Sequence, residues 1–130
     1  MTFDEFSPPG YLTRQGACVS ITEREGVSSL FVQHRGHVVT LILHETKWGS
    51  LARGLERVAM KDKPGRVVIE GNRPERSITI ARGTRGFTFR VHAQFSSIDI
   101  RLTANEIGDL QAAALARSAS SSNQPERVTP

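Results

Sequence analysis

One pattern occurs twice in this chain, and an internal repeat constrains a fold more tightly than composition does. Ser20-Ile21-Thr22 recurs as Ser77-Ile78-Thr79, and Gly26 recurs as Gly83, both at an offset of 57. Further on, Leu41-x-Leu43 with Trp48-Gly49-x-Leu51 recurs as Ile100-x-Leu102 with Ile107-Gly108-x-Leu110, now at an offset of 59. A two-residue insertion in the loop Thr84–Gly86 would reconcile the two offsets.

Alternation within each unit supports the pairing. Leu30 and Val32 alternate with Phe31 and Gln33, Arg35-Gly36 makes a two-residue turn, and Val39, Leu41 and Leu43 alternate with Thr40, Ile42 and His44. A hairpin folded there sets Val32 opposite Val39 and Leu30 opposite Leu41, with one apolar face. The second unit does the same around a turn at Gln94-Phe95, pairing Val91 with Ile98, Phe89 with Ile100 and Phe87 with Leu102. Its opposite face then carries Thr88, Arg90, His92, Ser97, Asp99 and Arg101, with Arg90 opposite Asp99 and Thr88 opposite Arg101.

Each hairpin leads into a helix. Trp48, Leu51, Leu55 and Val58 recur at helical spacing to about residue 60, with Thr46 as the expected cap and Lys61-Asp62-Lys63-Pro64-Gly65 as the stop. Thr103-Ala104-Asn105-Glu106 has the spacing of a capping box, and Ile107, Leu110 and Ala114 continue a helix to about Arg117. Shorter strand candidates precede each hairpin: Tyr11–Arg14 and Cys18–Arg24, then Arg66–Glu70 and Ser77–Ala81. The expected fold is α+β: two β-β-β-β-α repeats, about 11–61 and 66–117, packed as one domain over 10–118. Residues 1–9 read as a tail, and the Ser-rich 119–130 as a disordered one.

The remaining composition excludes several classes. The chain has 130 residues, 38% hydrophobic and 23% charged, enough for one ordinary core and unlike a disordered sequence. A single cysteine, Cys18, forms no internal disulfide and no cysteine zinc cluster. No run approaches the roughly 18 apolar residues of a membrane span, and Met1–Gly10 lacks the apolar stretch of a secretory signal. An intracellular protein with no membrane partner is the expectation. Net charge is only +4, from 17 Lys+Arg against 13 Asp+Glu, but 14 of the cations are Arg. Arg suits bidentate phosphate contacts and stacking on bases. Between residues 11 and 118 there are 16 bases and 10 acids, so the folded body holds the excess.

The strand-to-helix segments, Leu41-Ile42-Leu43-His44-Glu45-Thr46-Lys47-Trp48 with Leu51 and Arg101-Leu102 through Ile107 with Leu110, carry a resemblance. Two β-β-β-β-α units resemble the Pur-alpha repeat family, and a related topology is shared by Whirly proteins and small single-stranded-DNA-binding coactivators. The resemblance covers roughly residues 11–117 and is one of pattern. It implies antiparallel curved sheets with one helix each and binding of single-stranded DNA or RNA. The chain departs from those families in being poor in Lys and in offering only Phe31 as an outward aromatic.

Single-strand binders combine a cationic groove with flat side chains on which bases stack. The expected nucleic-acid contacts are therefore Arg24, Arg35, Arg82, Arg85, Arg90 and Arg101 for the backbone, Phe31 for stacking, and Gln33 and His92 for hydrogen bonds. Arg82-Gly83-Thr84-Arg85-Gly86 sets two Arg among glycines, and Arg73 and Arg76 also lie beside turns. A second expectation stands beside the first: with Val38 and Ile42, Phe31 forms an apolar outer patch suited to dimerisation or to another protein. Arg90 itself reads most simply as the partner of Asp99 on a solvated sheet. His34-x-x-His37 supplies two facing imidazoles with no convergent third ligand, and His44 points away, so no metal and no cofactor are expected. Cys18, Ser28-Ser29, Glu23 and Glu25 form no nucleophile elbow or paired-acid motif, and no glycine loop precedes a helix as a phosphate loop does. A non-enzymatic domain is expected.

Overall fold

A computed structural model describes residues 6–60, 65–70, 76–83, 86–93 and 96–122. The order is β1 (Tyr11–Leu12), β2 (Cys18–Arg24), β3 (Val27–His34), β4 (His37–Leu43), α1 (Glu45–Met60), β5 (Gly65–Glu70), β6 (Ser77–Gly83), β7 (Gly86–His92), β8 (Ser97–Leu102) and α2 (Ala104–Ser122). Two antiparallel four-stranded sheets result, ordered β1-β2-β3-β4 and β5-β6-β7-β8, each followed by a helix. The α+β architecture of two repeats is the one the alternation predicts.

Both central hairpins adopt the predicted register. Leu30 faces Leu41 and Val32 faces Val39. Phe89 faces Ile100, Val91 faces Ile98 and Phe87 faces Leu102. Arg35 and Gly36 hold φ of 51° and 81°, and Glu25 and Gly26 hold 54° and 80°. Positive φ at both central residues is the twist that a two-residue hairpin loop requires. Gln94 and Phe95 lie outside the described residues, although the flanking Ala93 N–H donates to the Ser96 carbonyl at 2.7 Å.

The offset between repeats is 59 throughout β2 to α1, which corrects the two-residue insertion expected at Thr84–Gly86. Ile21 pairs with Leu30, and Ile80 with Phe89, so Ile21 corresponds to Ile80 and not to the similar-looking Ile78. Both hairpins have two-residue loops, between Arg24 and Val27 and between Gly83 and Gly86. Strand side chains repeat every two residues, so a slip of two leaves every residue on its own face. A single extra residue sits instead between β5 and β6, because Tyr11 pairs with Val19 whereas Ile69 pairs with Ile78.

Element ends differ from expectation where local hydrogen bonds take over. β1 stops at Leu12, not Arg14, because Thr13 turns the chain: its N–H donates to Ala17 O, and its carbonyl and hydroxyl accept from Gly16 and Ala17. β5 starts one residue early at Gly65, and β6 runs past Ala81 to Gly83. α1 starts at Glu45, and the carbonyl of His44, not Thr46, closes its first turn by accepting from Lys47 and Trp48. Of its expected stop, Lys61–Pro64 lie outside the described residues. The capping box forms as predicted, with Thr103 N–H on Glu106 Oε1 at 2.9 Å and Glu106 N–H on Thr103 Oγ1 at 3.1 Å.

α2 continues to Ser122, beyond Arg117 and into the segment expected to be disordered. Alanines favour the helix, and Ser118 packs on α1, where a Cβ on Gly49 would meet its Oγ at 3.1 Å. Of the expected tail 1–9, residues 1–5 lie outside the described residues, while Phe6 is buried and stacks on Tyr11 with ring centroids 4.8 Å apart.

The core lies between the sheets and the helices. Val19, Ile21, Leu30, Val32 and Leu41 of the first sheet and Ile78, Ile80, Phe89, Val91 and Ile100 of the second are fully buried or nearly so. α1 and α2 pack together, and Leu51, Ala52, Leu55, Leu110, Ala113 and Ala114 on them are all buried. α1 also packs on β5 and β6, the sheet of the other repeat. No helix among the described residues is long and apolar enough to cross a membrane.

Candidate nucleic-acid interface

Ile69, Ile78, Ile80, Phe89, Val91 and Ile100 of the second sheet point inward, and the residues between them, exposed Val68 included, set the outer face. Cross-strand pairing aligns that face in rows: Arg66, Ala81, Thr88 and Arg101 in one, and Val68, Thr79, Arg90 and Asp99 in the next. A third holds Ser77, His92 and Ser97. Arg66, Arg90 and Arg101 are exposed, while Ala81, Thr88 and His92 are half-buried.

Arg90 and Asp99 meet as a two-pronged pair, Nε to Oδ1 and Nη2 to Oδ2, the second at 2.7 Å. Hydrogen bonding to Arg90, with its charge, holds the Asp99 carboxyl below the usual carboxylate range, and the same bond raises the guanidinium. Both side chains are about half exposed, 47% and 48%, so the pair adds little stability. Its geometric effect is larger: it holds one planar guanidinium in a defined orientation on the face.

Arg101, by contrast, has no hydrogen-bond or ion-pair partner among the described residues. It lines a depression of about 520 Å3 shared with Arg14, Gln15, Gly86, Phe87 and Thr103. Arg14 and Gln15 come from the β1–β2 loop of the first repeat. They are held there because the Arg14 N–H donates to Glu106 Oε2 at 2.7 Å. The loop therefore brings a second cation to the end of the second sheet. The sequence reading missed Arg14 by assigning it to β1; the turn-forming Thr13-x-x-Gly16 was the local signal for a loop.

The expected site residues divide between the two sheets. Arg90, His92 and Arg101 share the outer face of the second. Arg82 belongs to the opposite face and is a correction: β6 extends through it, and alternation with Ile78 and Ile80 turns it inward. There its Nη1 donates to the Ala59 carbonyl at 3.3 Å, near the end of α1, and its guanidinium lies 5.5 Å from the Phe87 ring centroid. In that position it holds a carbonyl of the last turn of α1. Arg85 and Arg73 lie outside the described residues. Arg76 is engaged too, with Nη1 on the Thr40 carbonyl of β4 at 2.9 Å.

Arg24, Phe31, Gln33 and Arg35 belong to the first sheet. Phe31 is half-buried on its outer face, between Ser20 and Thr40 in register. Gln33 is exposed opposite Val38, Arg24 ends β2 and Arg35 occupies the β3–β4 turn. That outer face is otherwise apolar, with Leu12 72% exposed, Val38 48%, Val27 45% and Ile42 41%. At the 59-residue offset, Phe31 corresponds to Arg90, Thr40 to Asp99 and Ile42 to Arg101. Equivalent positions thus bear a charged surface on one sheet and an apolar one on the other. His34 faces His37 as predicted, and no group of three or more His, Cys, Asp or Glu suited to a metal occurs among the described residues. No protein-family model, curated protein or solved structure matches the chain.

Proposed function

We propose that this chain is a non-enzymatic domain that binds single-stranded nucleic acid, DNA or RNA, on the outer face of its second sheet. The observation that carries the reading is the row Arg66-Ala81-Thr88-Arg101, with Arg14 beside Arg101. Two exposed guanidiniums flank a floor of small side chains across three strand spacings, roughly 14 Å. A phosphate backbone can follow the cations while bases lie over Ala81 and Thr88. The Arg90–Asp99 pair provides a planar surface for stacking where the second sheet has no outward aromatic, and His92 offers a hydrogen bond beside it. The proposal extends the resemblance to Pur-alpha and Whirly repeats from fold to use of a sheet face. It leaves Phe31 and Gln33 on the other sheet, outside the contact.

Fluorescence anisotropy with labelled single- and double-stranded oligonucleotides tests it. Three phosphate contacts on a single strand give a log–log salt slope of about −2, or a loss of roughly twentyfold between 50 and 200 mM salt. Arg101→Ser is expected to weaken binding and flatten that slope by about 0.7. Absence of single-strand binding at low salt, or indifference to Arg101→Ser, overturns the reading.

A further inference from the structure

The apolar outer face of the first sheet takes no part in the binding proposed above, and its chemistry points to a different occupant. Phe31 is its central apolar residue, with Val38 and Ile42 on the edge strand β4 and Leu12 on the opposite edge β1, interspersed with Thr22, Ser29, Gln33 and Thr40. Cys18 and Ser20 share the face but lie under Pro9 and Gly10, where Cys18 Sγ donates to the Pro9 carbonyl and Ser20 is 5% exposed. Arg24, at one end, is the only charged residue on it among the described residues; Arg35 and Glu25 stand in the turns beyond its margins. Nucleic acid gains little from a surface with so few cations. Four large apolar side chains at 41–72% exposure, Leu12, Val27, Val38 and Ile42, form a patch that a monomer would leave in water.

We infer that this face pairs with the same face of a second copy in a two-fold dimer. Three properties select that partner. The patch has an uncharged centre and a charged margin, the composition of the core and rim of a specific interface. Its polar groups are hydroxyls and one amide, which both donate and accept and so can meet their own kind across a two-fold axis. The other exposed sheet face of this molecule is an unsuitable mate, because stacking the first sheet on the second would bury Arg90, Asp99 and Arg101 against apolar side chains. Like therefore meets like.

The size suits a weak dimer. One uncovered outward position on β1, two on β2, four on β3 and three on β4, each taking about 33 Å2, present roughly 330 Å2 of flat face, or near 800 Å2 for two copies once side-chain relief is counted. That is below the standard specific interface, and the dimer is expected to dissociate on dilution.

The test uses equivalent positions of the two sheets. Val38 corresponds to Ser97, and both are exposed. Sedimentation equilibrium of the full chain, at concentrations up to about 100 μM, is compared with Val38→Asp, Phe31→Asp and the control Ser97→Asp. The wild type and Ser97→Asp are expected to reach twice the monomer mass, and Val38→Asp and Phe31→Asp to remain at half of that. Trp48, 1% exposed in the core, reports by its blue-shifted emission that each variant is folded. A monomeric wild type overturns the proposal, as does a dimer that survives either face substitution in folded protein. Loss of oligonucleotide binding in Phe31→Asp with unchanged mass also overturns it, and returns Phe31 to a base-stacking role.

Discussion

Glu106 ties the two repeats together through a single side chain. It is 6% exposed, and its two carboxylate oxygens accept from different places: Oε1 from Thr103 of its own capping box, Oε2 from Arg14 of the other repeat. Thr103→Ala removes one capping bond and is expected to cost about 1 kcal/mol. Glu106→Ala removes two charge-assisted bonds and orphans two backbone donors, so a loss of about 2–4 kcal/mol is expected. Urea unfolding of both variants checks these losses; a Glu106→Ala loss below about 1 kcal/mol would mean that its two bonds contribute little. The Thr103 half of this arrangement was legible in the spacing of Thr103 and Glu106. The Arg14 half was not, because its partner lies 92 residues away and no local pattern encodes that distance. Arg82 shows the same limit in reverse. Its position among glycines suggested a loop, and only the full length of β6 turns it toward Ala59 and Phe87.

At the scale of elements, hairpin register was legible because two independent signals agreed, the alternation of apolar residues and the two-residue turn. Val32 with Val39 and Phe89 with Ile100 admit no slip of one residue without exposing a whole apolar face. A slip of two costs nothing in facing, and so the repeat offset differs from expectation over β2 and β6 while the apolar inward residues keep their face; Arg82, inward near the end of β6, is the exception. The helix end was obscured for another reason. Ser118 and its neighbours read as low complexity, but the helix runs past them to Ser122, with Ser118 packed against Gly49. The hairpin turns carry a prediction of their own. Glu25 holds φ of 54° without the side chain best suited to it. Asn tolerates that conformation far better, so Glu25→Asn converts the turn to the favoured Asn-Gly and is expected to add about 0.5–1 kcal/mol. Thermal melting should rise by about 2–5 °C; a fall would show that Glu25 makes an interaction worth more than its backbone strain.

For the whole molecule, the placement of α1 matters more than the repetition itself. α1 follows the first sheet in sequence yet packs on β5 and β6 of the second, and α1 and α2 pack on one another. α2 packs on β7 and β8 of its own repeat, so the second sheet meets both helices, and dividing the chain strips each half of helix packing. Residues 1–61 and 66–130 expressed separately are expected to give poorly dispersed amide spectra, and mixing them to restore native dispersion. Native dispersion from one half alone would refute this. The division of expected site residues between two sheets belongs to the same scale: residue types were legible, but which of them share a surface follows from long-range pairing. Arg76 adds a last consequence. β4 is an edge of the first sheet, and edge strands with free carbonyls and amides recruit further strands into fibrous aggregates. By holding the Thr40 carbonyl from just before β6, Arg76 interrupts that edge near its middle. The chain can thus carry an apolar sheet face without offering beside it a template for endless β-polymerisation.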